Sequence, residues 1–209
     1  MIKKIIVLAT IILLIVSCKK TNLVEGNKYQ IISFLLEELA KPIELVYSPN
    51  YSGELLTRKD SIHQDSLFES IRKERAKRKF IVAVYPKLIP YDGGHYKYSS
   101  KKCIEYYGIM DKLMKLKDSS VIDLNKIISS KNDSILPFSV NLLSKDTKEF
   151  IKFDYFISFS SIAFNESYTK SIVMVSGARS KLAGSTDLYI LEKENGKWVI
   201  KCKINREIS

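Results

Sequence analysis

The sequence is poor in the residues that build metal and catalytic sites. It has two histidines in 209 residues, His63 and His95, and neither has metal-ligand spacing to a second histidine or to a cysteine. It also has no glycine-rich phosphate loop, no Gly-x-Ser-x-Gly turn and no His-Glu-x-x-His helix. These absences argue against motif-defined hydrolases, nucleotide-binding proteins and zinc enzymes. The sequence therefore predicts no metal and no cofactor.

The sequence also lacks a hydrophobic run long enough to cross a bilayer. Its amino-terminal run, Ile5–Val16, spans 12 residues, whereas a transmembrane helix needs roughly 18 to 20. Lys3 and Lys4 precede this run, and Ser17-Cys18 follow it, as in a bacterial signal peptide. The end of the run resembles a lipobox, with an aliphatic residue three positions before Cys18 and a small residue directly before it. The resemblance implies cleavage after Ser17 and lipidation of Cys18. The alternative is a short helical anchor with an incidental cysteine.

The residue after the cysteine bears on location. Lys19 follows Cys18, whereas an aspartate there tends to retain lipoproteins at the inner membrane of Gram-negative cells. No acidic cluster follows of the kind that directs some lipoproteins to the cell surface. We therefore expect an outer-membrane lipoprotein that faces the periplasm. Residues 1–17 are the signal peptide, 18–27 the lipidated cysteine and its tether, and 28–209 a single domain.

The chain is basic, with a formal net charge of +11. Removal of residues 1–17 takes away two lysines and leaves +9. An exported basic domain meets envelope proteins, anionic lipids or anionic glycans rather than nucleic acid. The alternative interpretation is that the lysines form an ordinary solvated surface.

A hairpin near the carboxyl terminus is the best-specified element. Asn195-Gly196 supplies the two positive-φ residues of a type I′ turn between two runs of β-forming residues. Counting outward from this turn predicts a core face and a solvent face. The core face pairs Lys193 with Trp198, Leu191 with Ile200 and Tyr189 with Cys202. The solvent face pairs Glu194 with Lys197, Glu192 with Val199, Ile190 with Lys201 and Leu188 with Lys203.

The residues before the hairpin extend this pattern into a sheet. Ser171–Ser176 predicts a central strand, and Phe153–Phe164 predicts a strand that changes phase at a bulge near Ser160-Ser161. The fold class expected is α+β, with N-terminal helices packed on a four-stranded antiparallel meander at 153–204. A cystatin-like or NTF2-like sheet would fit this order.

The first two thirds of the chain favour helices. Apolar periodicity predicts helices at 29–40, 64–79, 103–117 and 121–129. Short strands are expected at 43–47 and 80–85. The basic end of the second helix fits the helix dipole better than it fits a polyanion site.

The C-terminal quarter resembles a group of small uncharacterised bacterial lipoproteins. The resemblance rests on spaced residues that include Phe159-Ser160, Phe164-Asn165, Thr169, Val173, Gly184, Leu188-Tyr189 and Asn195-Gly196-Lys197-Trp198. It implies a Phe-Ser strand, an Asn-containing turn, a Val-rich strand and a terminal hairpin. It implies no activity.

Two weak site candidates lie in the middle of the chain. Tyr91, Tyr96 and Tyr98 interleave with lysines and form a possible binding surface, because aromatic rings beside cations stack on sugars and bases. Such rings can equally belong to the core. Asp92 and His95 flank a Gly-Gly turn and could serve an envelope hydrolase, which is the alternative to a non-catalytic binding or structural module. We favour the module.

With Cys18 lipidated, Cys103 and Cys202 are the remaining cysteines. An oxidising periplasm would let them pair. The predicted hairpin register places Cys202 on the core face beside Tyr189, and two buried free thiols are the favoured outcome.

Overall fold

The computed structural model describes residues 22–41, 79–91, 101–117, 119–129, 133–143, 152–180 and 183–208, with the single positions 66, 69, 70 and 73. Two α-helices are described in full within these ranges: α1 (22–39) and α2 (Tyr107–Lys115). The strands are β1 (Ile81–Val84), β2 (Ser134–Pro137), β3 (Tyr155–Phe159), β4 (Ala163–Phe164), β5 (Lys170–Ser180), β6 (Ala183–Glu194) and β7 (Lys197–Ile208). The predicted strand at 43–47 lies outside the described residues. Of the predicted helix at 64–79, the four described positions between 66 and 73 are helical.

Helix α1 confirms the helix that the apolar periodicity predicts at 29–40. Ile32, Leu35 and Leu36 are each fully buried, as their spacing on one helical face requires. The helix starts earlier than residue 29, because residues 22–28 are already helical. Residues 22–27, which the sequence assigned to the tether, thus belong to the folded part of the chain.

The helix predicted at 103–117 is also present. Its first turns form a 3-10 helix, Lys101–Tyr106, which continues as α2 and buries Ile109, Met110 and Leu113. The α-helix predicted at 121–129 is wrong, since the structure has only one 3-10 turn there, Leu124–Lys126. This segment runs along α1 instead, and its backbone amides bond to α1 side chains. Asp123 N–H donates to the Tyr29 hydroxyl at 2.8 Å and Ile128 N–H to Ser33 Oγ at 2.9 Å.

The sheet is larger than predicted and is mixed. Its strand order is β2-β1-β3-β5-β6-β7, with β4 also paired to β5. Strand β1 runs parallel to both β2 and β3, whereas the remaining pairs are antiparallel. The prediction of a four-stranded antiparallel meander as the whole sheet is therefore wrong. The coarser prediction, a mixed α+β fold, is confirmed.

The bulge predicted at Ser160-Ser161 is present between β3 and β4. Phe159 pairs with Val175 and Ala163 with Ile172, so the first strand has one residue more than its partner. The Ser160 hydroxyl accepts the Met174 N–H at 2.9 Å and so fills the gap in the ladder.

The hairpin register is confirmed at the turn and wrong beyond it. Asn195 and Gly196 have positive φ, and the pairs from Glu194–Lys197 to Leu191–Ile200 are those predicted. The next pair joins Ile190 to Cys202, because Lys201 is an extra residue in β7. This second bulge turns Cys202 to the opposite face of the sheet from the one predicted.

Both faces of the sheet are covered. The α1-side core joins α1 to one face through residues that include Val84, Ile157, Val173, Tyr189, Leu191 and Trp198. The α2-side core joins α2 to the other face through Ile172, Leu188 and Ile190. The predicted solvent face is thus wrong at Leu188 and Ile190, which are buried. The prediction that the helices are N-terminal to the sheet is also wrong, because α2 follows β1 and packs on the face opposite α1.

Cys103 and Cys202 form a disulfide, with their Cα atoms 6.4 Å apart. The prediction of two free thiols is therefore wrong. The bulge at Lys201 brings Cys202 onto the α2 side of the sheet, where Cys103 lies in the 3-10 helix. The bridge ties that segment to edge strand β7.

Candidate functional site

The sheet has two ends that differ in chemistry. We call the end at the Asn195-Gly196 turn the hairpin end, and the opposite end, where β5 finishes and β6 begins, the Asp187 end. At the Asp187 end, polar side chains replace apolar ones on the α1 side of the sheet. Tyr155, Gly177, Arg179, Asp187 and Lys203 are the central residues of this site.

Asp187 is a buried carboxylate with its charge compensated. It is 3% exposed and lies opposite Asn205 of β7. Asn205 Nδ2 donates to Oδ1 at 2.8 Å, and Ser185 Oγ donates to Oδ2 at 3.1 Å. Lys203 Nζ lies 3.1 Å from the same Oδ2. A buried carboxylate is expected to be paired in this way, because an unpaired one would be strongly destabilising.

Tyr189 extends the polar cluster from the same strand. Its ring is buried, and Lys203 Nζ lies 5.6 Å from the ring centroid. Burial, followed by the negative charge of Asp187 and a hydrogen bond to it, raises the pKa of the Tyr189 hydroxyl above its usual value. Tyr189 therefore stays a neutral phenol at physiological pH.

Tyr155 lies across the sheet over Gly177. An added Cβ at Gly177 would lie 2.7 Å from Tyr155 Cζ, so a side chain at this position would displace the ring. Arg179 Cζ lies 5.0 Å from the centroid of the same ring, in cation–π geometry. Burial raises the pKa of the Tyr155 hydroxyl, and the positive charge of Arg179 partly offsets the rise.

The hydrogen-bonding groups of this site are unevenly satisfied. Asp187 has its partners, but within the described part of the chain Arg179 forms no ion pair and the Tyr155 hydroxyl forms no hydrogen bond. Lys203 is half exposed, with a side-chain exposure of 51%. Arg179 and Lys203 bring two cationic side chains to the site, and of these Lys203 is the one paired with Asp187. The arrangement is suited to an anionic group that accepts hydrogen bonds from a guanidinium and a phenol.

A second polar cluster, on the α2 side, has a structural role. Lys170 Nζ lies 2.7 Å from Glu192, 4.0 Å from Glu105 and 4.9 Å from the Tyr106 ring centroid. The hydrogen bond from Lys170 lowers the pKa of Glu192, and that bond likewise raises the pKa of Lys170. These groups satisfy one another and join the 3-10 helix to the sheet.

Of the site residues singled out in the sequence, Tyr91 is the one that the structure describes. Tyr91 is 1% exposed and belongs to the α2-side core. Tyr96, Tyr98, Asp92 and His95 lie outside the described residues, as do Ser17 and Cys18.

Sequence reasoning missed the Asp187 site, although one signal for it was present. Asp187 shares strand parity with Tyr189 and Leu191, on the face assigned to the core. A charged residue on a core face indicates a buried polar group with a partner. Two of its partners, Lys203 and Asn205, come from β7 beyond the bulge, and the short-range sequence pattern does not reveal that pairing.

Among the described residues, no group of three or more histidine, cysteine, aspartate or glutamate side chains could hold a metal ion. In the same ranges, no helix has the length and apolar character of a membrane span. No protein-family model matches the chain, and no curated protein or solved structure has significant similarity to it.

Proposed function

We propose that this chain is a lipoprotein of the cell envelope, cleaved after Ser17 and anchored through lipid on Cys18. The lipobox-like residues at the end of the apolar run carry this proposal. The Cys103–Cys202 disulfide supports export, because structural disulfides persist in oxidising compartments such as the periplasm. The lysine after Cys18 favours the outer membrane, with the domain in the periplasm.

We further propose that the folded domain is a non-catalytic binding module and that the Asp187 end holds its ligand site. The observation that carries this proposal is Arg179, a cation stacked on Tyr155 with no ion pair in the described ranges. The contacts of Asp187 favour binding over catalysis, since its carboxylate is already engaged by Asn205, Ser185 and Lys203. The ligand class is an anionic group, such as a phosphate or carboxylate of an envelope glycan, lipid or protein.

The binding proposal is tested with inorganic phosphate as the probe. The chain lacking residues 1–17 is melted with increasing phosphate at constant ionic strength, with chloride as the balancing anion. A ligand that binds only the folded state raises Tm by mass action, so wild type should be stabilised. Arg179→Gln should lose this response. Lys115→Gln, which removes one exposed positive charge from α2, is the matched control and should keep it. Equal responses in all three proteins would refute the site.

The anchor is tested by labelling cells with radioactive palmitate. Wild type should carry label and need detergent for release from membranes, because multiple acyl chains give stable anchoring. Cys18→Ala should carry no label and should accumulate as the uncut precursor. Label in the variant, or none in wild type, would refute lipidation of Cys18.

A further inference from the structure

The folded part of the chain begins very close to the proposed anchor. Helix α1 includes residue 22, so only residues 19–21 separate Cys18 from it. Even a fully extended chain spans at most roughly 3.5 Å per residue, which limits the distance from Cys18 to Asn22 to about 14 Å. A lipid on Cys18 would thus hold the start of α1 next to the bilayer.

The start of α1 lies at the hairpin end of the sheet. Lys193, at the end of β6, donates from Nζ to Asn27 Oδ1 at 2.5 Å. Asn27 also donates to the Leu23 carbonyl at 2.9 Å, and Glu25 pairs with Lys126 at 3.4 Å. Asn22 is five residues before Asn27, or about 7.5 Å along a helix. The hairpin end therefore lies beside the anchor, whereas the Asp187 end is remote.

The hairpin end has the composition of a surface that meets lipid headgroups. Its lysines are Lys28, Lys126, Lys193, Lys197 and Lys201, and its acidic residues are Glu25, Asp123, Glu166 and Glu194; the ion pair of Lys170 and Glu192 lies next to them. Three of the lysines pair with these glutamates: Lys28 and Lys126 with Glu25, and Lys201 with Glu194. Lys19 and Lys20 add two positive charges in the connecting segment. Each lysine close to an anionic membrane adds electrostatic attraction to it.

An apolar and aromatic component accompanies these lysines. Leu23 of α1 is 50% exposed. In the turn before β5, Tyr168 has a left-handed backbone with φ of 56°, which is costly for a bulky residue. Asn165 Oδ1 holds this turn by accepting the amides of Thr169 and Lys170, each at 2.9 Å. Tyrosine is well suited to the membrane interface, where its ring and hydroxyl meet apolar and wet surroundings.

We infer that the hairpin end is a membrane-apposed surface that contacts anionic lipid headgroups, so that the Asp187 site faces away from the bilayer. This inference rests on the proposed lipidation of Cys18. Ala183 and Asn195 are twelve residues apart along β6, or roughly 40 Å at a strand's rise per residue. The ligand of the Asp187 site is accordingly a molecule of the aqueous compartment or of a facing structure, not a lipid of the anchoring leaflet.

The test uses chemical anchoring. In the chain lacking residues 1–17, Cys18 is the one cysteine outside the disulfide. Its thiol is coupled to a maleimide-headgroup phospholipid in vesicles that contain phosphatidylglycerol. A soluble amine-acylating reagent then reports lysine accessibility by mass spectrometry. Lys197, beside the hairpin turn, and Lys152, just before β3 at the Asp187 end, are both exposed and serve as a matched pair.

Coupling should slow acylation of Lys197 severalfold relative to the uncoupled chain with the same vesicles, and should leave Lys152 unchanged. Equal protection of the two lysines, or protection of Lys152 alone, would overturn the orientation. Vesicles of phosphatidylcholine should protect Lys197 less, and equal protection on both vesicle types would overturn the headgroup contact. Chemical coupling replaces cellular acylation, so these outcomes are independent of the palmitate experiment, which reports on Cys18 separately.

Discussion

Truncation of Trp198 tests the packing of the hairpin against α1. The indole is 5% exposed in the α1-side core, its ring centroid lies 6.1 Å from that of Phe164, and Lys193 Nζ lies 5.1 Å from it. Replacement of a buried tryptophan by alanine costs about 3 to 5 kcal/mol. The indole Nε1 is buried without a hydrogen-bond partner in the described structure, and its removal returns part of that cost. We therefore expect Trp198→Ala to lower the free energy of unfolding by about 3 kcal/mol, the lower end of the range.

The unpaired indole N–H allows a second variant to test the same reasoning. Trp198→Phe keeps most of the aromatic packing and removes the buried donor, whose desolvation costs about 1 to 3 kcal/mol. The two effects oppose each other, so the phenylalanine variant should lose less than about 1 kcal/mol. Lys201→Ala, at an exposed side chain paired with Glu194, should change stability by no more than about 0.5 kcal/mol.

The assay is urea unfolding of the chain lacking residues 1–17, monitored by far-UV circular dichroism at equal protein concentration. Unchanged m-values would show that the variants differ in stability rather than in the extent of unfolding. A loss in Trp198→Phe as large as that in Trp198→Ala would refute the reasoning about Nε1. Small and equal losses in Trp198→Ala and Lys201→Ala would refute the burial of the indole.

Two further stability predictions concern the glycine beneath Tyr155 and the disulfide. Gly177→Ala should lower the free energy of unfolding by about 1 to 3 kcal/mol, because its Cβ would overlap the Tyr155 ring. Gly108→Ala in α2 is the control, because its added Cβ meets open space, and it should be neutral or stabilising by up to about 1 kcal/mol. Equal effects of the two changes in urea melts would contradict the contact between Gly177 and the Tyr155 ring. Replacing Cys103 and Cys202 together by serine should cost about 2 to 5 kcal/mol, since the bridge closes a loop of 99 residues. Reduction should raise the wild-type mass by two protons, and an unchanged mass would show that no bridge forms.

The parts of the fold that the sequence determined by itself depend on neighbouring residues. Asn195-Gly196 favours positive φ at two consecutive positions, and that preference specifies a tight turn without help from the rest of the chain. The spacing of Ile32, Leu35 and Leu36 requires only a helix with one buried face. The phase change around Ser160 likewise requires one extra residue within a few positions. Each of these predictions is confirmed.

Tertiary structure decided the features that join distant segments. Ile81–Val84 has the composition of a buried strand, but its parallel pairing with 134–137 and 155–157 depends on how the intervening chain packs. The bulge at Lys201 carries no local signal, yet it moves Cys202 to the α2 side and permits the bridge to Cys103. Register has a side-chain period of two, so a single extra residue reverses every later face assignment in the strand.

The Asp187 site depends on the same long-range register. Strand parity alone puts Asp187 on the core face of the predicted hairpin and Tyr155 on a predicted strand, whereas Arg179 lies beyond the strand predicted at Ser171–Ser176. Pairing of β3 with β5 brings Arg179 over the Tyr155 ring, and the shifted β7 supplies Lys203 and Asn205 to Asp187. By contrast, the lipobox-like segment ending at Cys18 is a contiguous signal that is interpreted without any fold. The proposal of an anchor thus rests on sequence alone, whereas only tertiary structure could assemble the proposed ligand site, because its groups come from strands that meet through non-local pairing.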